Sequence, residues 1–297
     1  MTMSMQLISV MRCPACLAAR PAKTTYVLEQ FSVYDCPECF VRYIDPSMTE
    51  AQQIEIYQSS ESLKSVNAVL EKYYEFDLLN EKTNTYKDYK MALEKLGRIT
   101  SGRKLCEIGC GTGAFLKVAK KNGWDVTGLD SSAENIAALK EAGIAAMHSN
   151  MFESRDMPQF DVVVLWDVIE HPQVPSQLIE LCKKMFAPQG VLLIAAPCFP
   201  SLLSLVAGIL YKLSFGAIRG PLEKMYVVEH TSYFSIETLK RLLVKCNMTI
   251  LESWKTETDL ERYALSPWLR QGIQLGFFLG RFLNLQNRLA IVARPKI

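Results

Sequence analysis

Residues 104–116, Lys-Leu-Cys-Glu-Ile-Gly-Cys-Gly-Thr-Gly-Ala-Phe-Leu, read as a buried strand that passes through three alternating glycines into a helix. Glycine at alternate positions removes the Cβ atoms that would hold a ligand away and permits the positive φ of a tight turn. The helix that follows offers N–H groups with no partner in its own first turn. Such a run predicts an α/β fold in which a small polar ligand meets backbone at the carboxyl end of a strand.

Gly109-x-Gly111-x-x-Ala114 also satisfies the looser dinucleotide fingerprint, with an acidic residue at the expected distance. Three features tilt the reading away from it: Glu107 lies two residues before the first glycine, Gly113 comes early, and Asp130 closes a second strand over 124–130. A third motif-bearing strand spans 160–171 and a fourth 190–196. With Glu107-Ile-Gly-Cys-Gly-Thr-Gly113, Asp130 and Trp166-Asp-Val-Ile-Glu-His171 in this order and spacing, residues 101–250 resemble the class I S-adenosylmethionine-dependent methyltransferases. The resemblance implies a Rossmann-like seven-stranded sheet with S-adenosyl-L-methionine at Glu107, Gly109, Cys110, Gly111, Gly113, Asp130, Ser131, Asn150, Met151 and Trp166. Asp130 would hold the ribose and Cys110 would contribute only backbone. Asn150 stands where the family places an acid on the adenine amino group, and its amide oxygen can accept the same bond. Met151 would lie on the ring, and the Trp166 indole would screen the sulfonium.

Cysteine spacing marks a second unit. Cys13-Pro-Ala-Cys16 and Cys36-Pro-Glu-Cys39 are nineteen residues apart, within the window of a zinc ribbon. Four thiolates around Zn²⁺ would supply the folding energy that so short a segment lacks. The alternatives are a ribbon that has lost its metal, or a redox pair. Leu17 and Phe40 occupy places where such knuckles often carry glycine, which leaves room for distortion of one or both turns and keeps those alternatives open. The other five cysteines sit among apolar neighbours and read as buried thiols. Small-molecule methyltransferases with a zinc ribbon are similar in layout as far as residue 57.

The domains are therefore expected at 1–46 (zinc ribbon), 47–100 (helical cap, with Ser47 as the first N-cap) and 101–297 (cofactor-binding domain). Tyr73, Tyr74, Tyr86 and Tyr89 either close over the site or merely pack the helices. A strand is expected at 144–148, and the Pro188-Gln-Gly190 turn before the fifth strand.

Methyl transfer needs an acceptor held in line, exclusion of water and often removal of one proton. His230 and His171 are the candidate general bases, with Glu170 and Tyr233 in reserve; each also has a purely structural reading as a loop or turn residue. Apolar insertions at 199–230 and 255–287 carry the rest of the specificity. Residues 199–218 hold one charge, Lys212, in twenty positions. With 267–285 they admit four readings: a lid, a peripheral membrane contact, a dimer contact, or plain core packing. Formal net charge is only +2, so the totals show no strong footprint for nucleic acid, though a local patch could hide in such a balance, and no secretory signal opens the chain, so a cytoplasmic protein is expected. The expectation is an enzyme acting on a small-molecule acceptor, O-methylation first. An RNA methyltransferase and a non-catalytic partner protein are the rivals.

Overall fold

A computed structural model describes residues 12–19, 23–57, 76–149, 157–263 and 265–296. The expected adenine contacts Asn150 and Met151, and Tyr73 and Tyr74, lie outside these residues. Two sheets organise the chain. Strands β1 (Lys23–Val27), β2 (Ser32–Asp35) and β3 (Arg42–Asp45) form an antiparallel meander. The larger sheet contains β4 (Lys104–Ile108), β5 (Asp125–Asp130), β6 (Ala145–His148), β7 (Phe160–Trp166) and β8 (Phe186–Pro197). Past the two-residue β9 (Ser232–Tyr233), it is completed by β10 (Met248–Thr256) and β11 (Arg288–Pro295). Its order is β10-β11-β8-β7-β4-β5-β6. The five strands from β4 to β8 are parallel and β11 enters antiparallel to β8, giving the seven-stranded Rossmann-like sheet.

Pleating divides the core between the two faces of this sheet. Leu105, Val162, Val164 and Leu193 point to one face, Cys106, Val163, Leu165 and Ile194 to the other, and all are fully buried. Strands apolar on both faces belong in the middle of a parallel sheet. Helix Asn84–Ile99 buries Tyr89, Ala92, Leu93 and Leu96, one stripe at helical spacing, on the first face. Leu93 and Leu96 each contribute roughly 1.5–3 kcal/mol by leaving water.

Three local expectations change. The first cap helix starts at Glu50, and its cap is Thr49: the Thr49 Oγ1 accepts from the Gln52 N–H while Gln52 Oε1 accepts from the Thr49 N–H. Ser47 cannot serve, because it lies two residues too far from the first turn. Strand β8 starts at Phe186, so Pro188-Gln-Gly190 is a bulge within it, with Gln189 at φ +66° and a register shift opposite β7. The cysteine knuckles are regular. Leu17 and Phe40 adopt φ +62° and +63°, and each donates its N–H to the carbonyl of the first cysteine in its own knuckle. Both take the left-handed conformation that glycine would take, at some steric cost.

The small sheet does not stand alone. Its order is β1-β2-β3-β9, so its fourth strand comes from the distant segment 232–233. The apolar insertions form helices Leu202–Leu213 and Pro267–Phe282, which pack on each other where Gly276 faces Leu203 and Gly280 faces Leu202. Among the described residues no helix is long and apolar enough to cross a membrane.

Under the glycine turn, a Cβ added to Gly128 in β5 would lie 2.6 Å from Cys110 Sγ and 3.0 Å from Leu116 Cδ1. Gly128→Ala is expected to cost about 1–3 kcal/mol by overpacking. Adding Cys110→Ala should recover part of that loss in urea unfolding.

Candidate active site

The turn after β4 is pinned to the end of β5 by three backbone donors. Gly109 and Cys110 N–H both donate to the Leu129 carbonyl at 2.7 and 3.2 Å, and Gly111 N–H donates to Asp130 Oδ2 at 2.7 Å. All three glycines have positive φ, but their free sides differ. A Cβ on Gly109 would meet Val168, and one on Gly113 would meet Leu139 at 2.2 Å, whereas one on Gly111 would meet nothing within 4 Å. Gly113 therefore serves packing against helix Ala133–Glu141, while Gly109 to Thr112 line a cavity. Cys110 turns its thiol away, toward Gly128.

Two carboxylates frame the turn. Asp130 accepts from Gly111 N–H through one oxygen and from Ser132 N–H and the Asn135 amide through the other, so about one of its four acceptor positions is left for a ligand. Ser131 lies beside it on the cavity wall. Glu107 is buried, and no hydrogen bond reaches its Oε2. Burial, then the charges of Asp130 and Asp167, push its carboxyl well above the usual range.

The cavity, about 2250 Å³, runs from this turn to Phe199 and to the two insertion helices, which contribute Leu203, Leu210, Ile273 and Phe277. Trp166 lines it, stacked on Phe115 at 5.3 Å between centroids with Tyr89 edge-on at 4.7 Å. Arg288 donates to Asp167 at 2.7 Å nearby. Asp259 anchors the insertion to the domain, accepting from the Asn84 and Thr85 N–H groups at the start of helix Asn84–Ile99. Asp88, on that helix, also lines the cavity. Neither Asp88, Arg288 nor Asp259 belongs to a local motif that would single it out in the sequence.

His171, His230 and Glu170 converge on the same cavity. The imidazoles meet edge to face at 4.7 Å. His171 Nδ1 lies 2.9 Å from the Glu229 carbonyl, which only accepts, so Nδ1 carries the proton and Nε2 keeps a lone pair. Burial lowers the pKa of both rings, His230 more strongly and with help from His171. Glu170 is buried with neither carboxylate oxygen hydrogen-bonded, and burial followed by the Asp167 charge raises its carboxyl well above the usual range. Tyr233 lies behind this group, its ring 5.8 Å from that of His230: its hydroxyl bonds the Val227 N–H and carbonyl at 2.8 and 2.9 Å, it packs against Phe199 and Tyr226, and it is not among the residues lining the cavity. Gln53 was not a candidate from its local sequence, yet its amide donates to the carbonyls of His171 and Glu229 together.

The four ribbon cysteines form a separate cluster. Cys13 and Cys39 sulfurs are 3.5 Å apart, Cys16 and Cys36 3.6 Å, and all four lie within 4.8 Å of one another. Tetrahedral zinc at 2.3 Å from sulfur needs edges of about 3.8 Å, so the set fits that ion. A hydrogen bond from Cys13 holds the Cys39 thiol down to about 5.

The sequence family described as Methyltransferase domain matches residues 81–253. A ubiquinone biosynthesis O-methyltransferase of Psychrobacter arcticus is 34% identical over 104 residues, 31% of this chain and 39% of that protein. One from Pseudomonas aeruginosa is 31% identical over 98 residues, 30% of this chain and 42% of that protein. The matches thus span about two fifths of these relatives. Among solved structures, the plantazolicin methyltransferase in complex with SAH superposes at a TM-score of 0.53 with 14% identity, over 83% of this chain and 96% of that one, a likeness of fold.

Burial lifts the Asp88 carboxyl to about 6, opposed by a Thr256 hydrogen bond and the Arg288 charge. A raised folded pKa means that the stability it brings is fully present below the unfolded value of about 3.9 and is lost as pH rises through about 6. Between pH 5 and pH 8, Asp88→Asn should therefore gain roughly 1–2 kcal/mol on the wild type in urea unfolding.

Proposed function

The chain belongs to the S-adenosylmethionine-dependent methyltransferases, and from that premise we propose that it methylates a hydroxyl group of a small, partly apolar molecule. One observation carries the reading: a single cavity is lined by the glycine turn and Asp130, by the apolar insertion helices, and by His171 and His230. The O-methyltransferase names of the relatives support the acceptor atom. In this reading residues 1–46 are a zinc-holding ribbon, 47–100 a helical cap, and 101–297 the catalytic domain with its two insertions.

Bound S-adenosylmethionine would supply an electrophilic methyl carbon. Gly109 to Thr112 offer backbone to it without side chains, and the remaining acceptor position of Asp130 suits a ribose hydroxyl. Glu107 is a buried carboxylate suited to a cationic group, and Trp166 walls the site. Phe199, Leu203 and Leu210 exclude water from the acceptor. The lone pair of His171 Nε2 can take a proton from an acceptor hydroxyl, since Glu229 fixes the tautomer, and neighbouring His230 shares the same buried pocket. Cys13, Cys16, Cys36 and Cys39 would hold structural zinc, far from the reaction.

The outward faces of helices Leu202–Leu213 and Pro267–Phe282 leave Leu213, Phe215, Trp268 and Phe282 almost wholly in water. Neither helix carries an acidic residue, while Lys212, Arg270 and Arg281 lie on them and Arg219 follows Phe215 closely, although Arg270, Arg281 and Arg219 pair with Glu261, Glu257 and Glu223. Apolar side chains flanked by basic ones suit the interface of an anionic bilayer, and an acceptor entering between these helices would come from that phase.

Isotope-labelled S-adenosylmethionine incubated with the protein and a metabolite extract should place the label on the oxygen of a partly apolar compound. Label on RNA, on carbon or on nitrogen would overturn the acceptor assignment. Asp130→Ala should weaken calorimetric SAH binding about 10- to 100-fold, the range of a lost charge-assisted hydrogen bond.

In sedimentation with anionic vesicles the wild type should pellet and Phe215→Ser/Trp268→Ser should stay largely in solution. Equal partition of the two proteins removes the bilayer contact.

A further inference from the structure

The first insertion has its foundation in the ribbon and not in the large sheet. Residues 199–230 contain four buried apolar side chains, Ala207, Leu222, Tyr226 and Val228, and all four share one cluster with Tyr26, Val33 and Ile44 of strands β1, β2 and β3. None of them belongs to the clusters on the two faces of the seven-stranded sheet. Helix Leu202–Leu213, which lines the cavity with Leu203, Val206 and Leu210, is fixed directly to β1. A Cβ added to Gly208 would lie 2.3 Å from the Tyr26 hydroxyl oxygen, so only glycine lets this ring sit against the helix. The Tyr211 hydroxyl accepts from the Val27 N–H at 3.0 Å and donates to the Val27 carbonyl at 3.2 Å, serving both backbone groups of that edge-strand residue.

The cysteine cluster reaches the same contacts through Arg42. Asp35 directly precedes Cys36, Arg42 comes three residues after Cys39, and the two are cross-strand partners at the neck of the second knuckle. Arg42 closes this neck with two bonds to the Asp35 carboxylate, at 2.6 and 2.9 Å, and donates a third from Nη1 to the Tyr226 hydroxyl at 2.8 Å. The Thr25 hydroxyl donates to the same carboxylate at 2.7 Å. A guanidinium is a rigid planar fork, so the neck cannot widen without moving the donor that holds Tyr226. Tyr226 in turn packs on Tyr26 and on Phe199, and Phe199 lines the cavity.

We propose that Arg42 is a positioning residue that couples metal binding at Cys13, Cys16, Cys36 and Cys39 to the seating of the first insertion, so that a metal-loaded ribbon holds the acceptor side of the cavity in shape and a stripped one releases it. The coupling rests on the zinc reading of residues 1–46. Four thiolates within 4.8 Å of one another repel, and a cation among them draws both knuckles closed. Such coupling is reciprocal: whatever loosens the insertion lowers the metal affinity by the same factor. The glycine turn and Asp130 lie outside the cluster that joins ribbon and insertion, so binding at that end of the cavity is expected to be indifferent to the ribbon metal.

The full-length protein is titrated with Co²⁺, and binding is read from the sulfur-to-metal charge-transfer absorption. Tyr226→Phe keeps the ring and removes only its bond to Arg42. This variant and Arg42→Gln should each bind Co²⁺ about fivefold or more weakly than the wild type, the lower end of such couplings. A hydroxyl that merely packs the insertion would leave that affinity unchanged. In the other direction, stripping the metal should speed hydrogen exchange across 202–213 about tenfold while calorimetric SAH affinity stays the same. Equal Co²⁺ affinities of wild type and Tyr226→Phe overturn the coupling, as does exchange across 202–213 that does not respond to the metal. Where the stripped chain unfolds as a whole and loses SAH as well, the Co²⁺ affinities alone decide. Absence of a charge-transfer band in the wild type would remove the zinc reading and the coupling with it, whereas a band with matching affinities would keep the zinc ribbon and discard the coupling.

Discussion

The backbone seam between β3 and β9 turns two distant stretches of chain into one site. Arg42 pairs with Tyr233 and Tyr43 with Ser232, and Ile44 N–H reaches the Thr231 carbonyl at 3.3 Å. Edge strands of so small a sheet would otherwise expose unpaired backbone groups. The seam satisfies them and carries His230 with it, because that residue lies two positions before β9. Arg42 adds a side-chain tie, holding Asp35 within its own sheet and the Tyr226 hydroxyl beyond it. A ribbon built this way lies behind the His230 loop and outside the cavity lining, so losing its metal would reach the site through the geometry of that loop.

The cavity concentrates polar groups that the folded chain leaves unfinished. Glu107 and Glu170, both fully buried, have carboxylate oxygens without hydrogen bonds, and both are pushed toward the neutral form. Asp130 is different: three donors already hold it, so its orientation is set before any ligand arrives. Preorganised and unsatisfied carboxylates thus occupy one cavity with separate tasks. The first kind aims a ligand. The second is stabilised by a ligand that brings positive charge, and it offsets part of the cost of the folded site only when that ligand is present.

What was legible in the sequence is what is local. Glu107-Ile-Gly-Cys-Gly-Thr-Gly113 and Asp130 were readable because strand, turn and helix follow each other without a gap, and the two Cys-x-x-Cys turns because each knuckle is set within four residues. The regularity of those knuckles was not, since Leu17 and Phe40 accept a backbone conformation that their side chains disfavour. Strand β9 is two residues long and has no periodicity to detect, so the seam is visible only in three dimensions. Gln53, Asp88 and Arg288 share that fate: each acts through partners far along the chain, and a lone glutamine or aspartate on a helix carries no local sign of such partners. Tyr233 shows the converse, since its neighbourhood to His230 in sequence suggested chemistry: the rings do meet at 5.8 Å, but the hydroxyl is spent on Val227 and the ring is packed by Phe199 and Tyr226.

The insertion helices join these two kinds of information. A helix apolar on every side is ordinarily buried on every side. Helices Leu202–Leu213 and Pro267–Phe282 are not: one side lines the cavity with Leu203, Leu210, Ile273 and Phe277, and the other leaves Ile209, Leu213, Trp268 and Phe282 in water. Glycines at 276 and 280 let the two helices approach closely, so the pair is a thin wall, one helix diameter deep. A wall apolar on both surfaces has no energetic reason to face water on either. It is stabilised when an apolar molecule fills the inside and an apolar phase meets the outside, and a molecule passing between them would travel from one to the other without crossing water.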